Sequence, residues 1–189
     1  CMYTDRCFTA ANGSLYYFDT GVTSQWQLSQ LAEGATTPTA IAKAGQSSEV
    51  PVGLDAQGTL VAYAASTTCD HTPCQINQCT IAVYDTAMQK QTTLLSTNQF
   101  GCTDAKIAGG FVYFAIVTLD QKSEHMHGLG IGRVAIADRA FESLNLGMQG
   151  DSSGPRRIYP SGDRLYLVDP LVMARIDASA LDGTHDFTP

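Results

Sequence analysis

The sequence of 189 residues predicts an all-β protein made of four repeats, and three observations lead to that prediction. Four apolar tetrads recur along the chain, a glycine stands two or three residues before each tetrad, and a more alternating segment follows each one. The tetrads are residues 15–18 (LYYF), 60–63 (LVAY), 111–114 (FVYF) and 165–168 (LYLV). Because an uninterrupted apolar run is typical of a strand buried on both faces, we expect every tetrad to lie in the interior.

The glycines before the tetrads are Gly13, Gly58, Gly109 and Gly162. A tight connection into a strand needs a residue that adopts positive φ without strain, and glycine is that residue. Each glycine therefore predicts a hairpin turn that leads into its tetrad.

The remaining elements of each repeat are shorter. Candidate strands precede the turns around Phe8, residues 52–54, Ile107 and Ile158. Alternating strands follow the tetrads at 25–28, 80–84, 133–137 and 173–176, and polar outer strands follow these at 40–43, 92–95 and 143–146. Four strands in this order form one blade of a β-propeller.

The repeats therefore predict one domain over residues 1–189, a β-propeller-like array of four four-stranded blades near residues 1–47, 48–101, 102–152 and 153–189. A β-sandwich of similar strand density is the alternative fold. Four blades form either a small closed ring or an arc of a larger propeller. We favour the arc, with its missing blades supplied by further sequence or by a partner.

The last repeat also resembles a known propeller family. The segments LYLVD (165–169), ARID (174–177) and LDGT (181–184) are similar to the YWTD-type repeat of lipoprotein-receptor propellers and their bacterial relatives. Leu167 and Val168 stand where that family has Trp and Thr, and the other three repeats lack the LDG turn. The resemblance implies a propeller in an extracytoplasmic setting, and it carries over no ligand and no binding residue.

Charge and apolar content exclude two classes of partner. The formal net charge is −7, whereas binding to a phosphate backbone needs a basic surface, so we expect no nucleic-acid partner. No apolar run approaches the ~20 residues of a membrane span.

Six cysteines, Cys1, Cys7, Cys69, Cys74, Cys79 and Cys102, indicate disulfides and an oxidising compartment: secreted, periplasmic or cell-surface. A lipoprotein anchor at Cys1 is an alternative that would leave an odd number of thiols.

The insertion CDHTPCQINQC (69–79) interrupts the second blade. Its cysteines are spaced more widely than those of zinc knuckles, so we expect two disulfides among Cys69, Cys74, Cys79 and Cys102 rather than a metal site. Cys1 is expected to bond Cys7 or a cysteine outside this sequence.

The insertion SEHMHGLGIG (123–132) places Glu124, His125 and His127 close together. In a strand the two histidines would share a face and could bind zinc or copper. A catalytic site needs a third ligand and supporting residues, which the other repeats do not offer. We therefore favour a solvated loop and predict no cofactor.

Together these features favour a non-catalytic secreted or cell-surface scaffold that binds a protein or a surface glycan. Glu124, His125, His127, Arg156, Arg157 and Tyr159 are the candidate binding residues. The insertions at 66–78 and 119–130 are expected to form one rim on adjacent blades, since loops on a rigid scaffold collect binding residues. The alternatives are a metal-dependent, lactonase-like propeller hydrolase using His125 and His127, and a structural subunit of a larger surface assembly.

Overall fold

The computed structural model describes residues 8–19, 26–43, 49–67, 78–119, 126–146, 157–168 and 173–182. These ranges form four antiparallel sheets, each built from consecutive strands. Sheet 1 contains β1 (Phe8–Ala11), β2 (Ser14–Asp19), β3 (Gln27–Ala32) and β4 (Thr39–Lys43); sheet 2 contains β5 (Glu49–Gln57), β6 (Leu60–Thr67), β7 (Cys79–Asp85) and β8 (Lys90–Thr97). Sheet 3 contains β9 (Gly101–Ala108), β10 (Phe111–Leu119), β11 (Met126–Ala135) and β12 (Phe141–Asn145); sheet 4 contains β13 (Arg157–Ser161), β14 (Arg164–Val168) and β15 (Met173–Asp177). The protein is the all-β, propeller-like array of blades that the repeats predicted.

Glycine turns connect the first two strands of every sheet, as predicted. The φ angles are +68° at Gly13, +57° at Gly58, +57° at Gly109 and +61° at Gly162. Each turn has two residues, and the strand pairing closes directly around it. A residue with a side chain would be strained at these positive φ angles. Because each turn has only two residues, it also fixes the register of the strands that it joins.

Counting from the turn shows which face each residue of the second strand occupies. The first residues after the turns are Ser14, Leu60, Phe111 and Arg164. In sheet 2, the second and fourth residues, Val61 and Tyr63, pack with residues of sheet 1, whereas the third, Ala62, packs with residues of sheet 3. Even positions therefore face the preceding sheet and odd positions face the following one.

Three apolar clusters fill the spaces between successive sheets. Tyr16, Phe18 and Leu28 of sheet 1 meet Leu54, Val61 and Tyr63 of sheet 2. Between sheets 2 and 3 lie Val52, Ile81 and Val83 with Val112, Phe114 and Ile116. Between sheets 3 and 4 lie Tyr113, Ala115 and Ile131 with Ile158, Leu165 and Leu167, and Leu181 closes this cluster.

The expectation that all four tetrads are buried on both faces is wrong for the end sheets. Tyr63 and Phe114, in the middle sheets, are fully buried, but Leu15, Tyr17, Tyr166 and Val168 are only half-buried. The reason is the order of packing. Among the described strands, extensive contacts join sheet 1 to 2, sheet 2 to 3 and sheet 3 to 4, so each end sheet has a neighbour on one side.

The first strands of sheets 2, 3 and 4 are also joined by polar contacts. Asp55 Oδ2 accepts a hydrogen bond from the backbone N–H of Ile107 at 2.9 Å. Asp104 Oδ2 accepts one from the N–H of Ile158, also at 2.9 Å. Asp104 lies at a bulge of β9 with φ +60°. Both aspartates thus bind the next sheet through its backbone.

Gly53 brings β5 into direct contact with that bulge. A Cβ atom at Gly53 would lie 2.3 Å from the carbonyl carbon of Asp104 and 2.4 Å from the nitrogen of Ala105. Sheets 2 and 3 therefore approach each other backbone to backbone at this point, as only glycine permits.

Candidate functional site

Both long insertions connect the second strand of a sheet to its third strand. The first runs from Thr67 at the end of β6 to Cys79 at the start of β7, and the second from Leu119 to Met126. Because sheets 2 and 3 are neighbours with the same strand order, the two connections leave the same end of the array, which we call the insertion end. The glycine turns lie at the opposite end.

The second insertion is shorter than the sequence suggested. Met126 pairs with Leu119 and His127 pairs with Thr118, so these residues extend the β10–β11 ladder. The expected solvated loop over 119–130 is therefore wrong for residues 126–130, since the alternation that predicted strand β11 begins earlier than residue 133. The connection itself comprises residues 120–125.

A disulfide fixes one end of the first insertion to the next sheet. Cys79, the first residue of β7, is bonded to Cys102 of β9, with their Cα atoms 5.3 Å apart. Both residues are fully buried. The predicted disulfide among the four clustered cysteines is confirmed for this pair, whereas Cys1, Cys7, Cys69 and Cys74 lie outside the described residues.

Buried hydrogen bonds hold the strands beside this disulfide. The Thr80 hydroxyl donates to Glu49 Oε1 at 2.7 Å, and Glu49 is only 1% exposed. The Ser66 hydroxyl donates to the backbone oxygen of Gln78, also at 2.7 Å. Because buried polar groups that find partners add rigidity, the two ends of the first insertion are firmly held.

The candidate binding residues Glu124, His125, His127 and Arg156 are only partly within the described chain. Glu124, His125 and Arg156 lie outside it. The backbone of His127 is in β11, at the insertion end of sheet 3.

Arg157 and Tyr159 lie on the face of sheet 4 that points away from sheet 3. Ile158 between them is buried against sheet 3, whereas Tyr159 is 38% exposed. Tyr159 pairs with Tyr166 across the sheet, and Tyr166 pairs with Arg175. We call this surface the open face of sheet 4; it comprises Arg157, Tyr159, Ser161, Arg164, Tyr166, Val168, Met173, Arg175 and Asp177.

Most of the open face of sheet 4 was not predicted from the sequence. The signal was the alternation in β14 and β15, which puts Arg164, Tyr166 and Arg175 on the face opposite to Leu165 and Leu167. Arg164 Nε lies 3.7 Å from Asp163 Oδ1, and β14 and β15 pair Arg164 with Asp177. The face is therefore mixed in charge near the glycine turn and basic elsewhere.

The described residues contain no metal-binding cluster. No group of three or more His, Cys, Asp or Glu residues close enough to hold a metal occurs among them. Burial raises the pKa of Asp104, against the opposing effects of Lys106 and of the N–H groups of Ile158 and Ala105. Its two oxygens accept those backbone hydrogen bonds, so this carboxyl joins sheets and is not placed to act on a substrate.

No helix in the described part of the chain combines the length and apolar character needed to cross a membrane.

No family model matches the sequence, and a comparison with curated proteins found no match.

Solved structures match the fold at low sequence identity. One is the putative TolB from Agrobacterium tumefaciens, at 15% identity and a TM-score of 0.53, covering 89% of this chain and 58% of that one. Another is the S527A variant of the AtxE2 isopeptidase with astexin3-dC4 bound, at 5% identity and a TM-score of 0.53, covering 87% and 25%. A third is cobalt-substituted Synechocystis ACO, at 8% identity and a TM-score of 0.50, covering 91% and 47%.

These likenesses show a β-propeller fold. The chain spans 58% of the length of the TolB structure and 25% of that of the isopeptidase. They do not distinguish the YWTD type from other propellers. What the chain shares with them is the arrangement of its blades.

Proposed function

We propose that this chain is a non-catalytic, extracytoplasmic propeller scaffold that binds a protein partner at its insertion end. The observation that carries the proposal is the Cys79–Cys102 disulfide. It joins the base of the first insertion to the sheet that carries the second one. A structural disulfide is also typical of secreted, periplasmic and cell-surface proteins.

The rigid base supports a binding role on physical grounds. Loops lose conformational entropy when a partner orders them, at a cost of roughly 0.5–1.5 kcal/mol per immobilised side chain. Loops whose ends are already fixed lose less. The disulfide and the bonds of Glu49 to Thr80 and Ser66 to Gln78 fix both ends of the first insertion.

The binding surface in this proposal comprises the two insertions with Glu124, His125 and His127, flanked by Arg156, Arg157 and Tyr159. Its partner is a protein, with a surface glycan as the alternative. The hydrolase hypothesis differs in requiring a bound metal at His125 and His127. Metal analysis of the purified protein separates the two, because one zinc or copper ion per chain would favour the hydrolase.

Loop replacement tests the scaffold proposal. Residues 120–125 are replaced by a Gly/Ser linker of equal length, which leaves the β10–β11 ladder intact. Residues 35–38, at the opposite end of sheet 1, receive the same replacement as a control. Affinity capture from an extracytoplasmic fraction of the source cells, followed by mass spectrometry, should recover a protein with the wild type and the control but not with the 120–125 variant. Equal recovery with all three would contradict binding at the insertion end.

A further inference from the structure

Within the described part of the chain, one face of sheet 1 and one face of sheet 4 pack against no other sheet. The first face is largely apolar, and the second carries arginines. The open face of sheet 1 comprises Phe8, Ala10, Leu15, Tyr17, Asp19, Ser29 and Leu31, which share a face through the pairing of β1, β2 and β3. At its edge the Ser29 hydroxyl donates a hydrogen bond to Asp19 Oδ2, and Ser29 is buried. This face points in the direction of a preceding sheet. The open face of sheet 4 points in the direction of a following sheet.

Apart from Asp19 and Ser29, the open face of sheet 1 has the apolar composition of an interior face. Leu15 and Tyr17 occupy the second and fourth positions after the glycine turn. In sheets 2, 3 and 4 those positions hold residues buried against the preceding sheet, namely Val61 and Tyr63, Val112 and Phe114, and Leu165 and Leu167. On sheet 1 the same face carries Phe8, which is 58% exposed, and a shallow depression of about 620 Å³ bordered by Leu15, Leu31 and Glu33.

The open face of sheet 4 carries a Tyr–Arg cross-strand pair that also occurs on the face of sheet 3 packed against sheet 4. In sheet 3, Tyr113 at the third position after the turn pairs with Arg133. Arg133 bonds Glu142 and lies 4.5 Å from the ring centroid of Phe111. In sheet 4, Tyr166 at the third position pairs with Arg175 in the same way. This face is thus built like the face of sheet 3 that sheet 4 covers.

The charged side chains of the two open faces are also mostly of opposite sign. The chain carries a net charge of −7, yet three of its eleven Lys and Arg residues lie on the open face of sheet 4: Arg157, Arg164 and Arg175. The carboxylate of Asp177 lies opposite Arg164 on the same face, so the face carries more positive than negative side chains. The depression on sheet 1 is bordered by Glu33. Tyr, Met and Arg are the residues enriched at protein interfaces, and Met173 is 73% exposed here.

We propose that the open face of sheet 4 binds the open face of sheet 1 of a second copy of this chain. The second copy would stand where a following blade stands, with the same polarity as the three sheet-to-sheet contacts within the molecule. Such a head-to-tail contact closes a ring or extends as a filament, according to the angle between copies. This inference does not rest on the proposed function: the contact uses neither insertion, although it shares Arg157 and Tyr159 with the proposed binding surface.

Native mass tests the contact directly. The chain of 20.2 kDa is studied by light scattering after size exclusion at concentrations of roughly 1–100 μM, the range in which weak specific protein contacts populate. We expect a mass of two chains or more. Tyr166→Asp and Leu15→Asp should each give a monomer, with an association constant lowered at least tenfold. Met88→Asp, at an exposed site away from both faces (71% exposed), should associate like the wild type.

Mixing identifies the head-to-tail arrangement. Tyr166→Asp retains its sheet 1 face and Leu15→Asp retains its sheet 4 face, so an equimolar mixture should form a dimer that grows no further. Met173→Asp and Phe8→Asp, at more exposed sites, replace them if either first variant unfolds. A monomeric wild type would overturn the proposal and leave both faces to other blades or another protein. A dimer that survives in either single variant would overturn it in favour of a symmetric contact.

Discussion

Gly53→Ala is the most direct test of how sheets 2 and 3 are joined. The added Cβ would lie 2.3 Å from the Asp104 carbonyl carbon, 2.4 Å from the Ala105 nitrogen and 2.6 Å from the Asp104 Cα. Favourable carbon contacts lie near ~3.5–4.0 Å, so the shortest of these distances falls about 1.2 Å short. All three neighbouring atoms belong to the backbone, which means that no side chain can rotate away.

Relief of this contact requires movement of a whole strand. Asp104 is held by its bonds to the N–H groups of Ala105 and Ile158, and the Cys79–Cys102 disulfide limits separation of the two sheets. Overpacking of an interior typically costs ~1–3 kcal/mol, and we expect a value near the top of that range. Loss of the freedom of glycine in the unfolded chain offsets ~0.4–1 kcal/mol. The net loss in the free energy of unfolding is therefore about 2 kcal/mol.

Thermal unfolding followed by circular dichroism measures the effect. For a chain of this size ~1 kcal/mol shifts Tm by about 2–4 °C, so Tm should fall by about 4–8 °C. Fluorescence of Trp26, the single tryptophan, provides a second probe because it packs against the clusters on both sides of sheet 2. Gly34→Asn is the control, since a Cβ at Gly34 meets no atom within 4 Å and asparagine accepts its positive φ. A Gly53→Ala variant with the Tm of the control would refute the close approach.

Three further predictions concern contacts within and between sheets 2, 3 and 4. Burial raises the pKa of Asp104 above 3.8, so the folded protein binds this proton more tightly than the unfolded chain, and the associated stability is lost as pH rises from 3.8 through the raised pKa. The advantage of the wild type over Asp104→Asn should therefore shrink across that window in urea titrations, and a pH-independent difference would contradict the assignment. Replacing both Cys79 and Cys102 by alanine should lower the free energy of unfolding by about 3 kcal/mol, given their separation of 23 residues; urea midpoints equal to those of the wild type would show that the bridge does not constrain the unfolded chain. Gly132→Ala would place a Cβ 2.5 Å from the Phe114 ring and should cost ~1–3 kcal/mol in the same urea assay, an effect that Phe114→Leu should partly relieve; destabilisation unaltered by that second change would argue against the clash.

The strands could be predicted from the sequence because two independent patterns indicate them in every repeat, namely the apolar tetrad and the glycine turn before it. The tetrads alone assign residues of the end sheets to the wrong position after the turn. In sheets 1 and 4 the tetrad begins at the second residue after the turn, Leu15 and Leu165, whereas in sheets 2 and 3 it begins at the first, Leu60 and Phe111. Only the turn fixes which residue faces which neighbour, because hairpin register follows turn geometry.

The polar and covalent contacts between sheets could not be predicted from the sequence. Asp85, Asp138 and Asp177, at strand ends, accept hydrogen bonds from turn N–H groups, as aspartate commonly does in turns. Asp55 and Asp104 lie inside strands and bind a sheet that begins some fifty residues later. That partnership depends on how two blades approach each other, which local sequence does not contain. The pairing of Cys79 with Cys102 was likewise one of several connectivities that the spacing allowed.

The order of packing along the array makes its stability additive from sheet to sheet. When each unit stabilises mainly its neighbours, the molecule behaves like a one-dimensional chain of coupled units, and its ends open at a lower cost than its middle. Sheets 2 and 3 are buried on both sides and covalently linked, whereas sheets 1 and 4 are each supported from one side. We therefore expect sheets 2 and 3 to unfold as one unit and sheets 1 and 4 to exchange their amide hydrogens sooner. A partner that binds an open face should slow amide exchange in the sheet that carries that face.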